Sequence, residues 1–349
     1  MKTSIRWTEF SWNWAYVCSR DGAPCANCYA IKLLRKMGAN PFTPWAKDII
    51  TPGMNWNPAV TVIHRAHLEV PLHLRDPRVI FVNSLGDTFH DRVPEDAINR
   101  AFEVMRLTPR HTYQILTKRP QRMLDYLTAK GPAPDHVWCG TSVGDLAAVD
   151  KLDVLVKVPA KVRWISIEPL VGDLAPTPEA YTRLVGLFRQ THWIVLGAES
   201  GPRARRMQPD WARKIRDAAR EAGVPLFFKQ QGMFNQEGVR QETKHFLGFD
   251  LLDGVRHMEY PKGFEVPDTL KTKHGGTPTP TQAELPLAAP AIGTPTPTPV
   301  PAATFTTNMA IGATPIDTPT RTKAKDPKWI EAGRKAWATR RVNLARKGA

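Results

Sequence analysis

The stretch Val79-Ile-Phe-Val-Asn-Ser-Leu-Gly-Asp87 shows the pattern that predicts the fold of this chain: a short apolar run that ends in polar residues. A helix-like segment follows it, from Pro94 to Met105. Short apolar runs are typical of buried strands, and a proline followed by acidic residues is typical of a helix start. The sequence therefore predicts a strand, a polar loop and a helix in this order.

The same unit recurs over residues 1–270. The further apolar runs are Thr112–Leu116, Val137–Cys139, Val162–Ile167, Trp193–Leu196 and Pro225–Phe228. Strands that alternate with helices favour an α/β fold with a parallel sheet and crossover helices. The sheet is expected to be either a (β/α) barrel or an open doubly wound sheet.

Every apolar run ends in polar or charged residues. Taken in chain order, one such residue from each run gives Asp87, Lys118, Ser142, Glu168, Glu199 and Lys229. In both architectures the carboxyl ends of the strands form the binding face, because their loops converge there. We therefore expect a common cavity, with Lys118, Glu168, Glu199 and Lys229 as candidate catalytic residues. For any one of them, the alternative is that a polar residue only marks where a strand stops.

Three of the four cysteines lie within eleven residues, in Cys18-Ser-Arg-Asp-Gly-Ala-Pro-Cys-Ala-Asn-Cys28. This segment follows an aromatic-rich run, Trp12–Val17, which we predict to be the first strand, and precedes a helix that begins near Tyr29. Four cysteines are too few for a disulfide scaffold, and three thiols on one loop indicate metal or redox chemistry.

Three thiolates can hold three irons of a cubane cluster and leave the fourth iron open for a ligand. A structural zinc site usually needs a fourth protein ligand. Candidates for that ligand are Cys139, which lies in an apolar run, and the histidines His64, His67 and His90. Iron–sulfur, zinc and metal-free interpretations therefore remain open at this point.

Length and composition exclude other classes of protein. The chain has 349 residues, 42% of them hydrophobic, and a mean hydropathy of −0.35, with no apolar run that approaches a membrane helix. Its start is charged where a signal peptide would be apolar. We therefore expect a cytoplasmic protein with no membrane partner.

The end of the chain differs in composition. We predict a disordered Pro/Thr-rich linker over residues 271–325 and a short basic helix in residues 326–349. Ten Lys and Arg residues stand against Asp326 and Glu331 in residues 321–349, so this segment holds +8 of the net charge of +15. Such a tail favours DNA or RNA as a partner; a solubilising or protein-docking tail is the alternative.

The order of motifs over residues 1–260 resembles the phage-associated three-cysteine-motif family, known by phage gene products thirty-seven and sixty-eight. The matching motifs are Trp7-Thr-Glu-Phe-Ser-Trp-Asn-Trp14, Cys28-Tyr-Ala30, Asp87-Thr-Phe-His90, Leu116-Thr-Lys-Arg-Pro120, Ser166-Ile-Glu-Pro-Leu170, Gly197-Ala-Glu-Ser-Gly201 and Phe227-Phe-Lys-Gln230. That family is of undetermined function and is similar to radical SAM proteins.

The resemblance implies a partial, TIM-like (β/α) barrel that holds a [4Fe-4S] cluster on Cys18, Cys25 and Cys28. It implies that S-adenosyl-L-methionine (SAM) binds the open iron and is cleaved reductively to a 5′-deoxyadenosyl radical. An electron donor such as flavodoxin or ferredoxin would then be a partner. The residues expected to contact the cofactor are Tyr29, Ser84, Asp87 and Ser142.

Two other classes of function remain as alternatives. One is a metal-stabilised nucleic-acid-binding protein without catalysis. The other is a hydrolase or nuclease that holds a divalent metal with Asp87, Glu168 and Glu199.

Deleting residues 321–349 should weaken retention on DNA at low salt, because the tail would neutralise phosphates, and should leave metal loading unchanged. Retention on a DNA column at rising salt, with iron content as the control, measures both. Unchanged retention would contradict a role of the tail in DNA binding.

Overall fold

The computed structural model describes residues 3–243 and 245–273. The strands are β1 Phe10–Trp12, β2 Ala15–Tyr16, β3 Val62–Ile63, β4 Val79–Val82, β5 Thr112–Thr117, β6 Val137–Ser142, β7 Arg163–Ile167, β8 Trp193–Gly197, β9 Leu226–Gln230, β10 Leu251–Leu252 and β11 Val255–Arg256. The helices are α1 Tyr29–Gly38, α2 Glu95–Leu107, α3 Pro120–Lys130, α4 Lys151–Leu155, α5 Pro178–Phe188, α6 Pro209–Ala222 and α7 Asp268–Thr272.

Seven strands form one parallel sheet in the order β1-β4-β5-β6-β7-β8-β9. The sheet curls into a half-barrel flanked by helices, as the alternation of strands and helices predicts. Two small antiparallel pairs, β2 with β3 and β10 with β11, lie outside it. The six predicted strands are confirmed and take neighbouring places in chain order.

The predicted first strand over Trp12–Val17 is wrong, because the chain leaves the sheet after Trp12. Asn83 causes the break: its side-chain oxygen accepts hydrogen bonds from the amides of Trp14 and Ala15, at 3.0 and 3.1 Å. These amides therefore bond to one side chain rather than to a neighbouring strand. The segment Ala15–Tyr16 pairs with β3 instead.

The two faces of the half-barrel pack differently. Outward-facing side chains such as Ile80, Tyr113 and Ile165 join the helices in the main core. The inner face carries a second cluster around Trp7, which lies 5.3 Å from Trp164 between ring centroids. A parallel sheet buried on both faces explains why its strands are almost continuously apolar.

The aromatic cluster fills the amino-terminal half of the inner face. The rings of Trp164 and Trp193, which stand at the start of β7 and β8, are 5.4 Å apart, and Trp193 stacks on Tyr260 at 5.5 Å. Tyr260 and Phe264 bring the segment after β11 against this end. The carboxyl-terminal half of the inner face is therefore left to the polar residues that follow the strands.

Among the described residues, no helix combines the length and apolar character needed to cross a membrane. Helix α7 continues past the predicted domain boundary at residue 270, and its Leu270 is fully buried. The predicted linker beyond residue 273 and the predicted basic tail lie outside the described residues.

Replacing Gly140 by alanine should destabilise the fold, because a Cβ there would lie 2.5 Å from the indole of Trp164. We expect a loss of about 1–3 kcal/mol in the free energy of unfolding, as in other overpacked cores. Gly186→Ala is the matched control, because no atom lies within 4 Å of the added Cβ in α5; it should be neutral or stabilising. Urea denaturation measures both, and equal stability of Gly140→Ala and the wild type would contradict this packing.

Candidate functional site

The cysteine loop, Cys18–Cys28, runs from the region of β2 to the start of α1. Cys18 and Cys25 are buried and Cys28 is half-buried, and all four cysteines of the chain are free. Gly22 has a φ of 80°, a conformation that favours glycine, and it precedes a short 3-10 turn, Ala23–Cys25. The Sγ atom of Cys25 accepts a hydrogen bond from the Asp21 amide at 3.3 Å, so the loop is folded back on itself.

Lys118, which follows β5, lies near the cysteine loop. Burial alone would lower its pKa, but negative charge at Cys18, Cys25, Asp87 and Cys28 outweighs this effect and raises the pKa above its usual value. The next residue, Arg119, hydrogen-bonds the hydroxyl of Ser19. The start of the cysteine loop therefore lies at the carboxyl end of β5.

Cys18 is buried to nearly the same extent as Cys25, at 9% and 7% exposure respectively. Burial raises its pKa to about 12, with a further contribution from Asp87, whereas Lys118 and Arg119 act in the opposite direction. The next residue, Ser19, has its hydroxyl hydrogen-bonded by Arg119. Arg119 therefore contacts the start of the cysteine loop directly.

Glu199 anchors the other end of the cysteine loop. Its carboxylate, which is 5% exposed, accepts hydrogen bonds from the side chain of Asn27 at 2.9 Å and from the Arg205 guanidinium at 2.6 and 3.0 Å. Asn27 also donates to the carbonyl of Arg203 at 2.8 Å. Glu199 thus ties the residue before Cys28 to the loop after β8. In this geometry it is a positioning residue.

Tyr29 and Ser84 form a further attachment. The Tyr29 hydroxyl donates to the carbonyl of Ser84 at 2.6 Å, and the Ser84 hydroxyl donates to the side-chain oxygen of Asn13 at 3.1 Å. On the opposite side, Gly144 leaves room for Pro24 of the loop, since a Cβ there would lie 2.5 Å from the Pro24 ring. The loop is therefore held by the ends of β4, β6 and β8.

Asp87 is buried, and both of its carboxylate oxygens accept hydrogen bonds. It accepts hydrogen bonds from the Thr117 hydroxyl at 2.6 Å, the Lys118 amide at 3.1 Å and the Arg119 guanidinium at 2.7 Å, besides the amide of Phe89 at 3.0 Å. Its contacts fix the turn after β5. Asp87 consequently orients Arg119, which hydrogen-bonds the Ser19 hydroxyl next to Cys18.

Glu168 and Lys229 form an ion pair at the ends of β7 and β9. Both side chains are mostly buried, at 18% and 17% exposure. Gly197 lies between them: a Cβ there would be 3.4 Å from the carboxyl carbon of Glu168 and from the Cβ of Lys229. The absence of a side chain at Gly197 therefore keeps the space around the pair open.

Ser142 and Ser166 are partners in the β6–β7 register and lie on the inner face. Neither side-chain hydroxyl makes a hydrogen bond to another described residue, although both residues are mostly buried. Two hydroxyls without protein partners, beside Glu168, are available to a polar ligand.

A cleft of about 580 Å³ opens between α3 and α4, and no cysteine is among its lining residues. Its lining includes Lys118, Arg119, Arg122 and Lys151 together with three aspartates, Asp91, Asp125 and Asp150. Of the six strand-end residues predicted to share a cavity, Lys118 is the one that lines this cleft. Glu168 and Lys229 contact each other, whereas Asp87 and Glu199 bind other residues, so these contacts do not bring all six to one cavity.

The carboxylates predicted for a divalent metal are not brought together. Asp87, Glu168 and Glu199 each bind a different cation, respectively Arg119, Lys229 and Arg205. Within residues 3–243 and 245–273, no three His, Cys, Asp or Glu side chains are arranged to hold a metal ion as they stand.

The candidates for a fourth zinc ligand also lie apart from the loop or have other contacts. Cys139 belongs to the helix-side core, where burial raises its pKa to about 12. His64 and His67 stack on each other, and His64 contacts Trp45. His90 lies 3.3 Å from the Ser19 hydroxyl, and burial, with Arg119 beside it, lowers its pKa to about 4.

Sequence reasoning missed Asn27, Arg119 and Arg205, which hold the predicted residues in place. The dipeptide Lys118-Arg119 and the basic run after Gly201 are visible in the sequence as positive segments. Their carboxylate partners lie far away in sequence: 32 positions separate Arg119 from Asp87. Local patterns do not reveal such pairs.

Fold and site together define an α/β half-barrel protein whose cysteine loop covers the carboxyl ends of its strands. The chain belongs to a family described as "Protein of unknown function (DUF5131)", which matches residues 2–261. No curated protein and no solved structure matches it. The match covers the whole half-barrel, including every residue of the site.

Glu199→Gln should lower the free energy of unfolding by about 1–2 kcal/mol, because it removes the charge that pairs with Arg205. The loss should be smaller than for a fully buried ion pair, since the Arg205 side chain is 35% exposed. Burial would raise the pKa of Glu199, but its bonds to Arg205 and Asn27 outweigh this and hold the pKa below 4.5. A carboxylate with a lowered pKa stabilises the fold above its unfolded pKa, and this contribution is lost as the pH falls through the folded pKa.

The difference in stability between wild type and Glu199→Gln should therefore be constant above pH 4.5 and shrink below it. Urea denaturation over a pH series measures it. A difference that grows on acidification would contradict the ion pair.

Proposed function

We propose that this chain is an iron–sulfur protein of the radical SAM type, in which Cys18, Cys25 and Cys28 hold a [4Fe-4S] cluster. The half-barrel corresponds, in this interpretation, to a partial TIM-like barrel. The observation that carries the proposal is that one loop with three cysteines is held at the carboxyl end of a parallel sheet, by Arg119 at Ser19, by Gly144 beside Pro24 and by Glu199 at Asn27. That edge is where α/β proteins of this kind bind their ligands.

The donor set fits such a cluster in number and chemistry. Thiolate sulfur is the usual ligand of iron in these clusters, and three thiolates leave one iron open. Cys139 and the stacked pair His64 and His67 have other contacts, which favours three protein ligands over a closed zinc site. The Asp21 amide donates a hydrogen bond to the sulfur of Cys25. Hydrogen bonds to sulfur ligands of this kind adjust the reduction potential of a cluster.

Cluster binding requires the three sulfur atoms to move closer together than they are in the structure, because they do not form a metal site as they stand. The proposal requires this movement to come from rotation of the cysteine side chains, because the loop and the start of α1 are anchored through Ser19, Asn27 and Tyr29. Lys118 would compensate part of the negative charge of the bound thiolates.

When bound together, the cluster and SAM would supply radical chemistry by reductive cleavage of the sulfonium. The residues of this chain would bind and orient the ligand. Ser142 and Ser166 offer free hydroxyls, and Glu168 and Lys229 offer one charge of each sign beside them. Asp87 would act indirectly, since its oxygens already bind Thr117, Lys118 and Arg119.

A reducing, cytoplasmic compartment suits the proposal, because thiols must stay reduced to bind iron. It would also provide an electron donor such as flavodoxin or ferredoxin. Nucleic acid is the proposed substrate class, consistent with the basic tail predicted from the sequence.

Anaerobic reconstitution with iron and sulfide should give a brown protein with the iron and sulfide content of one [4Fe-4S] cluster per chain. Replacing Cys18, Cys25 or Cys28 by alanine should abolish this loading, whereas Cys139→Ala should retain it, since Cys139 lies in the helix-side core. Dithionite and SAM should then yield 5′-deoxyadenosine from the wild type. Iron content, visible absorbance and chromatography of the nucleoside measure these outcomes.

Two results would contradict the proposal. Zinc loading with no bound iron would favour a structural site. Full iron loading without 5′-deoxyadenosine would remove the radical chemistry and leave a structural or redox cluster.

A further inference from the structure

Helix α1 exposes one face directly beside the cysteine loop. Tyr29, Lys32, Leu33 and Lys36 stand at positions i, i+3, i+4 and i+7 and therefore share one side of the helix. The opposite side, with Ala30, Ile31 and Leu34, is buried. Tyr29 and Leu33 are 54% and 44% exposed, and because they are four positions apart they form a small apolar patch on this side.

Tyr29 presents its ring in a fixed orientation. Its hydroxyl is hydrogen-bonded to the Ser84 carbonyl at 2.6 Å while more than half of the side chain remains exposed. Tyr29 is also the residue next to Cys28. A planar group that stacked on this ring would lie beside the thiols.

The cations around Tyr29 have no acidic partners. Within the described part of the chain, Lys32, Lys36 and Arg203 form no ion pair and donate no side-chain hydrogen bond. Arg203 belongs to the loop after β8, and Lys32 lies near that loop, since a Cβ at Gly201 would be 3.3 Å from its Nζ. Helix α1 itself contains no acidic residue.

We propose that this surface, the α1 rim (Tyr29, Lys32, Leu33, Lys36 and Arg203), binds single-stranded nucleic acid and brings a base to the cysteine loop. An exposed aromatic ring flanked by unpaired cations is the combination that binds single strands, because bases stack on the ring and phosphates contact the cations. The charge of the chain agrees, since the residues outside 321–349 carry +7.

Single strands fit better than duplex, because the face of a base is accessible to a ring only when it is unstacked. The four helical positions from Tyr29 to Lys36 span about 10 Å, which is room for a short stretch of chain. This inference rests on the proposed function only for the chemistry that follows binding. Binding itself requires neither iron nor SAM.

The test is fluorescence anisotropy of the full-length chain with a labelled single-stranded oligodeoxynucleotide and with its duplex. The double variant Lys32→Glu/Arg203→Glu should bind the single strand at least about tenfold more weakly at low salt and show a smaller salt dependence. Lys157→Glu/Lys262→Glu is the matched control, because it changes the net charge equally with exposed lysines outside the α1 rim. Its affinity should fall much less.

A second comparison tests stacking. Tyr29→Phe should bind nearly as well as the wild type, because it keeps the ring, whereas Tyr29→Ala should lose about tenfold. Photochemical cross-linking to an oligonucleotide that contains 5-iodouracil should attach it to Tyr29, and mass spectrometry of the digest locates the adduct.

The inference is wrong if adducts form solely in residues 321–349 or if Lys32→Glu/Arg203→Glu binds as tightly as the wild type. It is also wrong if the α1 rim binds vesicles of anionic phospholipid but not the oligonucleotide. Iron loading of the same variants is measured separately. Lost oligonucleotide binding with normal iron supports the surface, and absent iron with normal oligonucleotide binding counts against the proposed cluster alone.

Discussion

The hydrogen-bond network of the buried Asp87 carboxylate is the constraint on which the site depends. Asp87, which follows β4, binds the Thr117 hydroxyl, the Lys118 amide and the Arg119 guanidinium, and these bonds fix the turn after β5. Arg119 in turn hydrogen-bonds the hydroxyl of Ser19, the second residue of the cysteine loop. The ends of β4 and β5 are therefore joined to the loop, and this junction places the cysteines at the carboxyl edge of the sheet.

The two ends of the half-barrel have different inner faces. At the amino-terminal end, the rings of Trp164 and Trp193 and the closing Tyr260 fill the inner face and exclude ligands. At the carboxyl end, the inner face carries Ser142, Ser166 and the Glu168–Lys229 pair. Parallel strands place every carboxyl end at one edge, so residues distant in sequence meet there.

Periodicity and strand-end polarity predicted the parallel α/β fold and the edge at which the site lies. They did not predict the break after Trp12, because it depends on a hydrogen bond from the Trp14 amide to the side chain of Asn83, 69 positions away. They also treated Glu199 as a free catalytic group. Its partner Asn27 lies in the cysteine loop, and its partner Arg205 lies in the loop after β8, as Glu199 itself does. Only the three-dimensional structure shows that both oxygens of the Glu199 carboxylate are bound.

The central claim is that three cysteines hold a cluster with one open iron at the mouth of the half-barrel. Mössbauer spectroscopy of protein reconstituted with ⁵⁷Fe tests it most directly, before and after addition of SAM. The account predicts that one iron of the cluster changes its isomer shift while the other three do not. A spectrum that SAM leaves unchanged, or one without a [4Fe-4S] signature, would contradict it.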